Sequence, residues 1–323
     1  MVKKILHLEK NRYSEDALNN LGKSHELIFK DFNLQEDFDS FLETNQFDVI
    51  FTRLGLFLGK SQIVNQKNLK CIVTPTTGYN HIDVEYAQKY DIKIIGLQGE
   101  VDFLKHVKST AEHTWALLLS ISKNLYPSIN SVKKINTWDR NLFLSDELDK
   151  KTLGIIGFGR LGRIVSQYAN AFGMKILAND IDNEAFKNAP SYINICELTG
   201  LLKSSDYIIL LISWKQENHR FINSDKLAKF KKGAYLINTS RGEFIDEKAL
   251  INSLKYGKIK GAALDVLNND STWNKSTKIK NDLIEYSKTN NNLIITPHIG
   301  GYGKESVKRT REFVTNLFLK EYL

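Results

Sequence analysis

Three polar side chains in the second half of the chain have the chemistry of an anion site and a proton donor. Arg241, Asp270 and His298 each follow an apolar run. A guanidinium can hold a carboxylate through two parallel N–H···O bonds, which a lysine cannot match. Histidine exchanges protons near neutral pH, and a neighbouring carboxylate orients its ring and stabilises its charged form. Alone, each residue is more often a structural ion pair or a loop residue, so the surrounding sequence decides its meaning.

A glycine-rich stretch upstream provides that context. Gly157, Gly159 and Gly162 have G-x-G-x-x-G spacing between an apolar run and a helical pattern, and Asp180 ends the next apolar run. Such glycines permit a tight turn, close approach of the backbone to a pyrophosphate, and close helix–strand packing. The helix N-terminus offers N–H groups to phosphates, and the acidic residue can accept the ribose hydroxyls but would repel a 2′-phosphate. The arrangement predicts a dinucleotide site that prefers NAD to NADP.

Short apolar runs alternate with helical patterns along the whole chain, which is typical of parallel α/β sheets. Ligands bind such sheets at the carboxyl ends of the strands. One long helix is predicted over 103–125, and we interpret its Glu112 and His113 as capping or packing groups rather than catalytic ones. The predicted strands cover 4–8, 26–29, 47–53, 69–74, 92–97, 153–156, 174–178, 206–212, 234–238, 259–265 and 293–296.

Composition limits the class of protein. With 323 residues, the chain is long enough for about two domains. The net charge of +8 comes from lysines spread along the chain, which disfavours a nucleic-acid-binding protein. No apolar run approaches the ~20 residues of a membrane span, and the N-terminus is predicted to be a strand rather than a signal peptide. Cys71 and Cys196 are interpreted as reduced thiols of a cytoplasmic protein, although the sequence leaves a disulfide open.

Several stretches resemble the signatures of the NAD-dependent D-isomer-specific 2-hydroxyacid dehydrogenases, such as D-lactate, phosphoglycerate and glycerate dehydrogenases. Three of them are 238–242 (NTSRG), 261–266 (GAALDV) and 296–301 (TPHIGG). In addition, 157–162 (GFGRLG) matches the family's cofactor motif, and 77–83 (TGYNHID) is similar to a turn of its substrate domain. The resemblance covers nearly the whole chain, and the motifs occur in family order.

The resemblance implies two Rossmann-like, doubly wound parallel-sheet α/β domains. A discontinuous, flavodoxin-like substrate domain would cover 1–102 and 297–323, and an inserted NAD-binding domain would cover 103–296 and form a homodimer. Arg241 would bind the substrate carboxylate, His298 would act as general acid/base, and Asp270 would be its carboxylate partner. No metal is expected. The resemblance implies NAD contacts from Gly157, Gly159, Arg160, Leu161, Gly162, Asp180, Thr239, Asp265, His298 and Gly300, and substrate contacts from Arg53, Thr77, Gly78, Arg241 and His298.

The chain departs from the family pattern at three places. At the position where the family usually has a catalytic Glu, this chain has Asp270, whose side chain is one methylene shorter. The usual H-x-P is absent after the strand that ends near Ile212, and Gly96 begins a stretch that replaces the usual Asn-x-Pro. We also expect no regulatory domain after Leu323, in contrast to many phosphoglycerate dehydrogenases.

The preferred hypothesis is an enzyme that interconverts a 2-oxo acid and its D-2-hydroxy acid with NAD. One alternative is an NAD(H)-sensing binding protein with little turnover, similar to the C-terminal-binding-protein co-repressors. Another is a formate- or phosphite-type dehydrogenase. The carboxylate at position 270 argues against the formate type, in which the matching position resembles a glutamine. The identity of the acid and the physiological direction do not follow from the sequence.

Overall fold

A computed structural model describes residues 1–273 and 277–322, and in this part of the chain all strand pairings are parallel. The strands are β1 (Lys4–His7), β2 (Glu26–Phe29), β3 (Val49–Phe51), β4 (Cys71–Val73), β5 (Lys93–Ile95), β6 (Thr152–Ile156), β7 (Lys175–Asn179), β8 (Ile193–Ile195), β9 (Tyr207–Leu210), β10 (Ala234–Asn238), β11 (Ile259–Leu264) and β12 (Leu293–Ile295). The helices are α1 (Glu15–Gly22), α2 (Gln35–Thr44), α3 (Lys60–Val64), α4 (Val84–Lys89), α5 (Val101–Leu104), α6 (Ser109–Ser122), α7 (Leu125–Ile135), α8 (Arg160–Ala171), α9 (Leu198–Ser204), α10 (Ser224–Lys229), α11 (Glu247–Lys255), α12 (Asp282–Thr289) and α13 (Lys304–Tyr322).

The first sheet has the strand order β2-β1-β3-β4-β5, which is the flavodoxin-like order. Its central strands β1, β3 and β4 are buried on both faces. Ile5 and Phe51 lie in one apolar cluster, while Leu6 and Ile50 lie in the other. Because successive side chains of a strand point to opposite faces, burial on both faces requires an unbroken apolar run. This requirement explains why the apolar runs of the sequence locate these strands.

The second sheet has the order β12-β11-β10-β9-β6-β7-β8. From β6 the chain moves outward through β7 to β8, and then returns to the other side of β6 for β9 to β12. The order therefore reverses between β6 and β9, which is the topological switch point where doubly wound sheets bind dinucleotides. The expected fold class, two doubly wound parallel-sheet units, is confirmed by this topology.

The chain forms two compact units. The first contains Met1–Val107, Asn269–Ile279 and Gly303–Leu323, and the second contains Lys108–Asn268 and Lys280–Tyr302. The assignment of 1–102 with 297–323 to substrate and of 103–296 to NAD concerns function and stays a prediction.

The single helix predicted over 103–125 was wrong, because the structure has two separate helices, α5 and α6, with 105–108 between them. Each helix belongs to a different apolar core. Leu104 packs in a cluster of the first unit, whereas Ala111 and Leu118 pack in the cluster that covers the second sheet. The chain passes from one unit to the other between Val107 and Lys108.

Among the described residues, no helix combines the length and the apolarity that crossing a bilayer would require. Both cysteines are free thiols; Cys71 is buried and Cys196 is half-buried. Burial raises the pKa of the Cys71 thiol to about 12, so this thiol stays protonated and unreactive at neutral pH.

Candidate active site

The glycine turn after β6 has the conformation and the open space that a phosphate needs. Gly157 has a φ of +97°, and a Cβ there would lie 2.6 Å from the carbonyl oxygen of Leu211. At Gly159, by contrast, a Cβ would meet no heavy atom within 4 Å. Helix α8 begins at the next residue, Arg160, and the first N–H groups of a helix have no partner within it. The turn therefore fits a nucleotide pyrophosphate, which would lie against open backbone at a helix N-terminus.

The other residues of the motif hold this turn by packing and by hydrogen bonds. Gly162 is buried in α8 against the carbonyl of Gly157, and Leu161 packs on the apolar core. Asp180, directly after β7, accepts hydrogen bonds from the backbone N–H of Phe158 at 2.7 Å and of Asp182 at 3.0 Å. The acidic residue is thus fixed beside the glycine turn, as a ribose-binding carboxylate must be. Its contact with the ribose, like those of Arg160 and Leu161 with NAD, stays a prediction.

Three adjacent strands of the second sheet are followed by predicted site residues. In the ladder, Asn238 of β10 pairs with Leu264 of β11, and Leu264 pairs with Ile295 of β12. Arg241, Asp265 and His298 follow these strands in the same order. Since neighbouring strands lie about 4.8 Å apart, the sheet brings the three segments to one edge. The sequence signatures 238–242, 261–266 and 296–301 are therefore consecutive in space.

A short turn positions Arg241 after β10. The side chain of Asn238 donates to the Arg241 carbonyl at 2.8 Å and accepts from the Ser240 N–H at 3.0 Å. The hydroxyl of Ser240 donates to the carbonyl of Leu210 in β9 at 2.9 Å. The half-buried guanidinium itself donates to the Ser240 carbonyl at 2.6 Å. Thr239 is buried, and its hydroxyl is paired with that of Thr114 at 2.6 Å.

The loop that carries His298 is wrapped around the carboxylate of Asp265. Asp265 is 1% exposed, and its carboxylate accepts from the N–H groups of Ile299 at 2.9 Å and Gly300 at 2.7 Å, and from the hydroxyl of Thr296 at 2.5 Å. The N–H of His298 donates to the Asp265 carbonyl at 2.8 Å. Two consecutive N–H groups thus bind the carboxylate, and the one before them binds the carbonyl of the same residue; together they form a nest around Asp265, similar to the backbone nests that bind anions.

The nest holds His298 in an unusual backbone conformation. Its φ is +55°, a value that few residues other than glycine adopt. At Gly300, a Cβ would lie 2.8 Å from the Asp265 carboxylate, so a side chain there would push into the nest. His298 is half-buried. The conformation of this loop therefore depends on Asp265, which sequence analysis assigned only to the cofactor.

His113 also contacts this carboxylate. Its Nε2 lies 3.1 Å from a carboxylate oxygen of Asp265 and 2.9 Å from the hydroxyl oxygen of Thr296. Burial raises the pKa of Asp265, but the hydrogen bonds from His113, Thr296 and the two loop N–H groups outweigh it and hold the pKa below its ordinary value. The interpretation of His113 as a capping or packing group was incomplete. Nothing in the sequence near His113 indicates this contact, because Asp265 lies 152 positions away.

In the first unit, the loop after β4 carries Thr77 and Gly78, and a chain of buried polar groups supports it. The hydroxyl of Thr74 lies 2.9 Å from that of Thr76 and 3.0 Å from Nε2 of His81. The Thr76 hydroxyl donates to the Gly78 carbonyl at 2.9 Å. The backbone N–H groups of Thr77 and Gly78 have no acceptor among the described residues. This loop can therefore offer two N–H groups to an anion.

Arg53, which follows β3 in the same unit, is held by its own surroundings. Its guanidinium donates to Asp31 at 2.7 Å and to the carbonyls of Phe32 at 2.7 Å and Leu54 at 2.8 Å. Asp270 starts a short 3-10 turn in 269–279 of this unit, whereas His298 lies in the second unit. The substrate contact of Arg53 and the pairing of Asp270 with His298 stay predictions.

The departure at Gly96 has a structural counterpart. A Cβ at Gly96 would lie 2.6 Å from the hydroxyl oxygen of Tyr79, so the tyrosine ring occupies the space that a side chain would take. Burial raises the pKa of Tyr79, and the tyrosine is hydrogen-bonded to the backbone of Gln98. The ring of Tyr79, from the loop that carries Thr77 and Gly78, thus packs directly on the backbone of Gly96.

Comparison with known proteins decides the family. The family model described as "D-isomer specific 2-hydroxyacid dehydrogenase, NAD binding domain" matches residues 115–300. The chain belongs to this family. The match extends from α6 to the His298 loop and so includes the glycine turn, Arg241 and Asp265. NAD is the cofactor of the matched domain, and the fit of the glycine turn agrees with it.

Individual members of the D-2-hydroxyacid dehydrogenase family match most of the chain. A hydroxypyruvate reductase of Thermotoga maritima is 32% identical over 272 residues, which is 84% of this chain and 84% of that protein. A D-3-phosphoglycerate dehydrogenase of Bacillus subtilis is 31% identical over 303 residues, 93% of this chain and 53% of that protein. The chain thus spans about half the length of the latter relative.

A solved structure supports the same assignment. The D-lactate dehydrogenase of Aquifex aeolicus, complexed with NAD and lactic acid, aligns with a TM-score of 0.81 at 29% identity and covers 98% of this chain and 96% of that one. With the family model, these relatives make the chain an NAD-dependent oxidoreductase of the D-2-hydroxyacid dehydrogenase family.

Proposed function

We propose that the protein interconverts a 2-oxo acid and its D-2-hydroxy acid, with His298 as the general acid/base. The observation that carries this proposal is the fixed His298 loop. A buried carboxylate holds the histidine in a rare backbone conformation at the sheet edge where Arg241 also emerges. A loop whose hydrogen bonds fix the backbone of one half-buried histidine supports a chemical role for the ring of that histidine.

The residues of the second unit divide the chemistry between them. Arg241 holds the substrate carboxylate through its guanidinium and polarises the adjacent carbonyl. His298 gives a proton to the C2 oxygen in reduction and takes it back in oxidation. Bound NAD supplies the hydride-transfer chemistry. The glycine turn and Asp180 hold the dinucleotide, and Arg160, Leu161, Thr239, Asp265 and Gly300 complete its site.

The first unit supplies the rest of the substrate site in this proposal. The N–H groups of Thr77 and Gly78 bind the substrate carboxylate, and Arg53 adds positive charge for an anionic substrate. Asp270 pairs with His298 and stabilises its protonated form.

The test is oxidation of NADH with a panel of small, branched, aromatic and phosphorylated 2-oxo acids. His298→Asn removes the acid/base while preserving the loop, because Asn tolerates positive φ. The expected result is turnover of one substrate class and a loss of about two to four orders of magnitude in the variant. The matched control is His219→Asn, an exposed histidine of the same unit, which should keep full activity.

Two outcomes would contradict the proposal. Tight NADH binding without turnover of any 2-oxo acid would favour the NAD(H)-sensing protein. Turnover that His298→Asn leaves intact would remove His298 from the mechanism.

We also propose that the protein is a cytoplasmic homodimer that associates through the second unit. Its free thiols are compatible with a reducing compartment. Within 125–144, α7 and the segment after it expose many large apolar side chains, of which Trp138 is 91% exposed. Patches of this kind mark protein interfaces. The exposed apolar residues are Leu125, Tyr126, Ile129, Val132, Ile135, Trp138, Leu142 and Leu144.

Light scattering after size exclusion tests this assembly. The wild-type protein should have the mass of two chains, and Ile135→Glu should have the mass of one. Tyr256→Glu, a change at an exposed aromatic residue of α11's C-terminal cap, should remain dimeric. A wild-type monomer at micromolar concentration would contradict the proposal.

A further inference from the structure

We propose that His113 is a positioning residue for His298 and acts on it through Asp265; this inference rests on the proposed role of His298. His113 lies in α6 and is separated from the His298 loop by most of the second unit's sequence. Its ring is nevertheless within hydrogen-bond distance of both the carboxylate and the threonine that shape that loop.

The hydrogen-bond pattern determines which ring nitrogen of His113 carries a proton. The hydroxyl of Thr296 donates its only hydrogen to Asp265. The oxygen of Thr296 can therefore only accept from His113, and the ionised carboxylate of Asp265 can also only accept. Because both partners of Nε2 are acceptors, Nε2 must be protonated. His113 is thus a donor to Oδ1 of Asp265, the same carboxylate oxygen that accepts the Ile299 N–H and the Thr296 hydroxyl.

The first turn of α6 supports the loop at a second point. The hydroxyl of Ser109 donates to the Gly300 carbonyl at 2.7 Å. Ser109 and His113 are four residues apart and so lie on the same face of the helix. Near Gly300, a Cβ would come within 3.6 Å of both the His113 ring and the Thr110 methyl group. One helix face therefore contacts the loop directly at Ser109 and indirectly, through Asp265, at His113.

This arrangement leaves the Asp265 carboxylate little freedom to rotate. Its oxygens receive two loop N–H groups and the Thr296 hydroxyl, and His113 adds a donor from α6 that holds Oδ1 in place. Without the His113 donor, the carboxylate can shift, and the N–H groups of Ile299 and Gly300, which it binds, can shift with it. A displacement of about 1 Å of a catalytic group can cost about a hundredfold in rate.

The experiment compares His113→Leu with His113→Gln. Leucine removes the donor at similar volume, whereas the side-chain amide of glutamine can replace the Nε2–H. For His113→Leu we expect kcat to fall about ten- to hundredfold while KM changes less than about threefold, because positioning of the proton donor acts on the chemical step. Glutamine should restore most of kcat. Ser122→Ala, which deletes a buried hydroxyl at the other end of α6, should leave kcat unchanged.

Two further measurements do not depend on turnover. Hydrogen exchange of the amides at 298–300 should be faster in His113→Leu and normal in His113→Gln. The NADH dissociation constant, measured by fluorescence, should change less than kcat. Unchanged exchange and unchanged kcat in His113→Leu would overturn the inference. So would a rise in the NADH dissociation constant that matches the fall in kcat, because His113 would then serve the cofactor.

The proposed function and this inference fail separately. If the wild-type protein reduces no 2-oxo acid, the proposed function fails, and the exchange at 298–300 still decides whether His113 fixes the loop.

Discussion

In each sheet a polar side chain is buried at the end of a strand. The side chain in the second sheet is charged and has several hydrogen-bond partners, whereas the one in the first sheet is neutral and has few. In the second unit, Asp265 after β11 is charged and is bound by His113, Thr296 and loop N–H groups. In the first unit, His7 at the end of β1 is fully buried and accepts only the Glu9 N–H at 3.3 Å; its Nε2 has no partner among the described residues.

The hydrogen-bond partners of these two buried residues determine whether each one keeps its charge. Hydrogen bonds to Asp265 outweigh its burial and lower its pKa, so it stays ionised. Burial, with a smaller contribution from the charge of Arg311, lowers the pKa of His7 to about 3, so it stays neutral. A buried charge persists where the chain supplies partners, and a buried titratable group without them becomes neutral. The comparison indicates that the second unit uses its buried group to shape a site, whereas the first unit uses His7 for packing.

At pH 7, the largest effect is expected from Asp265→Asn, which removes the buried charge of the second unit. The amide would present N–H groups to donors that need an acceptor, so buried hydrogen bonds to a charged group are lost. The free energy of unfolding should fall by about 3 kcal/mol. Activity should fall as well, because the His298 loop loses its support. Urea denaturation measures the stability.

The pH dependence of this loss has a definite sign. Because the pKa of Asp265 is lower in the folded protein, its stabilisation is present above the unfolded value of about 3.9 and is lost as pH falls through the folded value. The stability difference between wild type and Asp265→Asn should therefore shrink below about pH 4. Asp225→Asn, an exposed change in the first turn of α10, should show no such difference. An Asp265→Asn protein as stable as wild type at pH 7 would refute the role of the nest.

The next prediction concerns His7→Asn and tests whether the buried, neutral His7 makes the stability of the protein depend on pH. The oxygen of asparagine can replace Nδ1 as acceptor for the Glu9 N–H but does not titrate. Because burial lowers the pKa of His7 to about 3, wild-type stability should fall as pH drops below the unfolded value of about 6.5. The slope from this residue is about 1.4 kcal/mol per pH unit, and it continues to about pH 3.

The measurement is the unfolding free energy of both proteins between pH 7 and pH 4. His7→Asn should have the shallower pH dependence across this range. Parallel curves for the two proteins would mean that His7 is already charged or is hydrated in the native state.

The smallest effect is expected from Thr74→Val in the loop support of the first unit. Its hydroxyl links Thr76 and His81, but all three groups can be neutral. Loss of a neutral buried hydrogen bond costs about 1 kcal/mol, which is less than the loss at Asp265. Thermal denaturation checks the stability, and KM for the 2-oxo acid checks the Thr77 loop. A stability loss equal to that of Asp265→Asn would remove the distinction between the two units.

The sequence predicted the parts of the fold that depend on local patterns. Apolar runs located buried strands, and the glycine spacing located the turn whose φ at Gly157 requires glycine. It did not predict that Asp265 binds the N–H groups of Ile299 and Gly300, because those contacts join residues 34 and 35 positions apart. The same limit applies to Arg53 and Asp31, since nothing local to Arg53 reveals that pairing.

Chemical rescue of His298→Gly tests the central claim most directly. Glycine adopts the positive φ of this position without strain and leaves space for a free imidazole. The account predicts that reduction of the preferred 2-oxo acid falls by about two to four orders of magnitude and that added imidazole restores part of the rate in proportion to its concentration. The wild-type rate should not respond to imidazole. A variant that retains wild-type turnover, or one that loses turnover and gains nothing from imidazole, would contradict a proton-transfer role for His298.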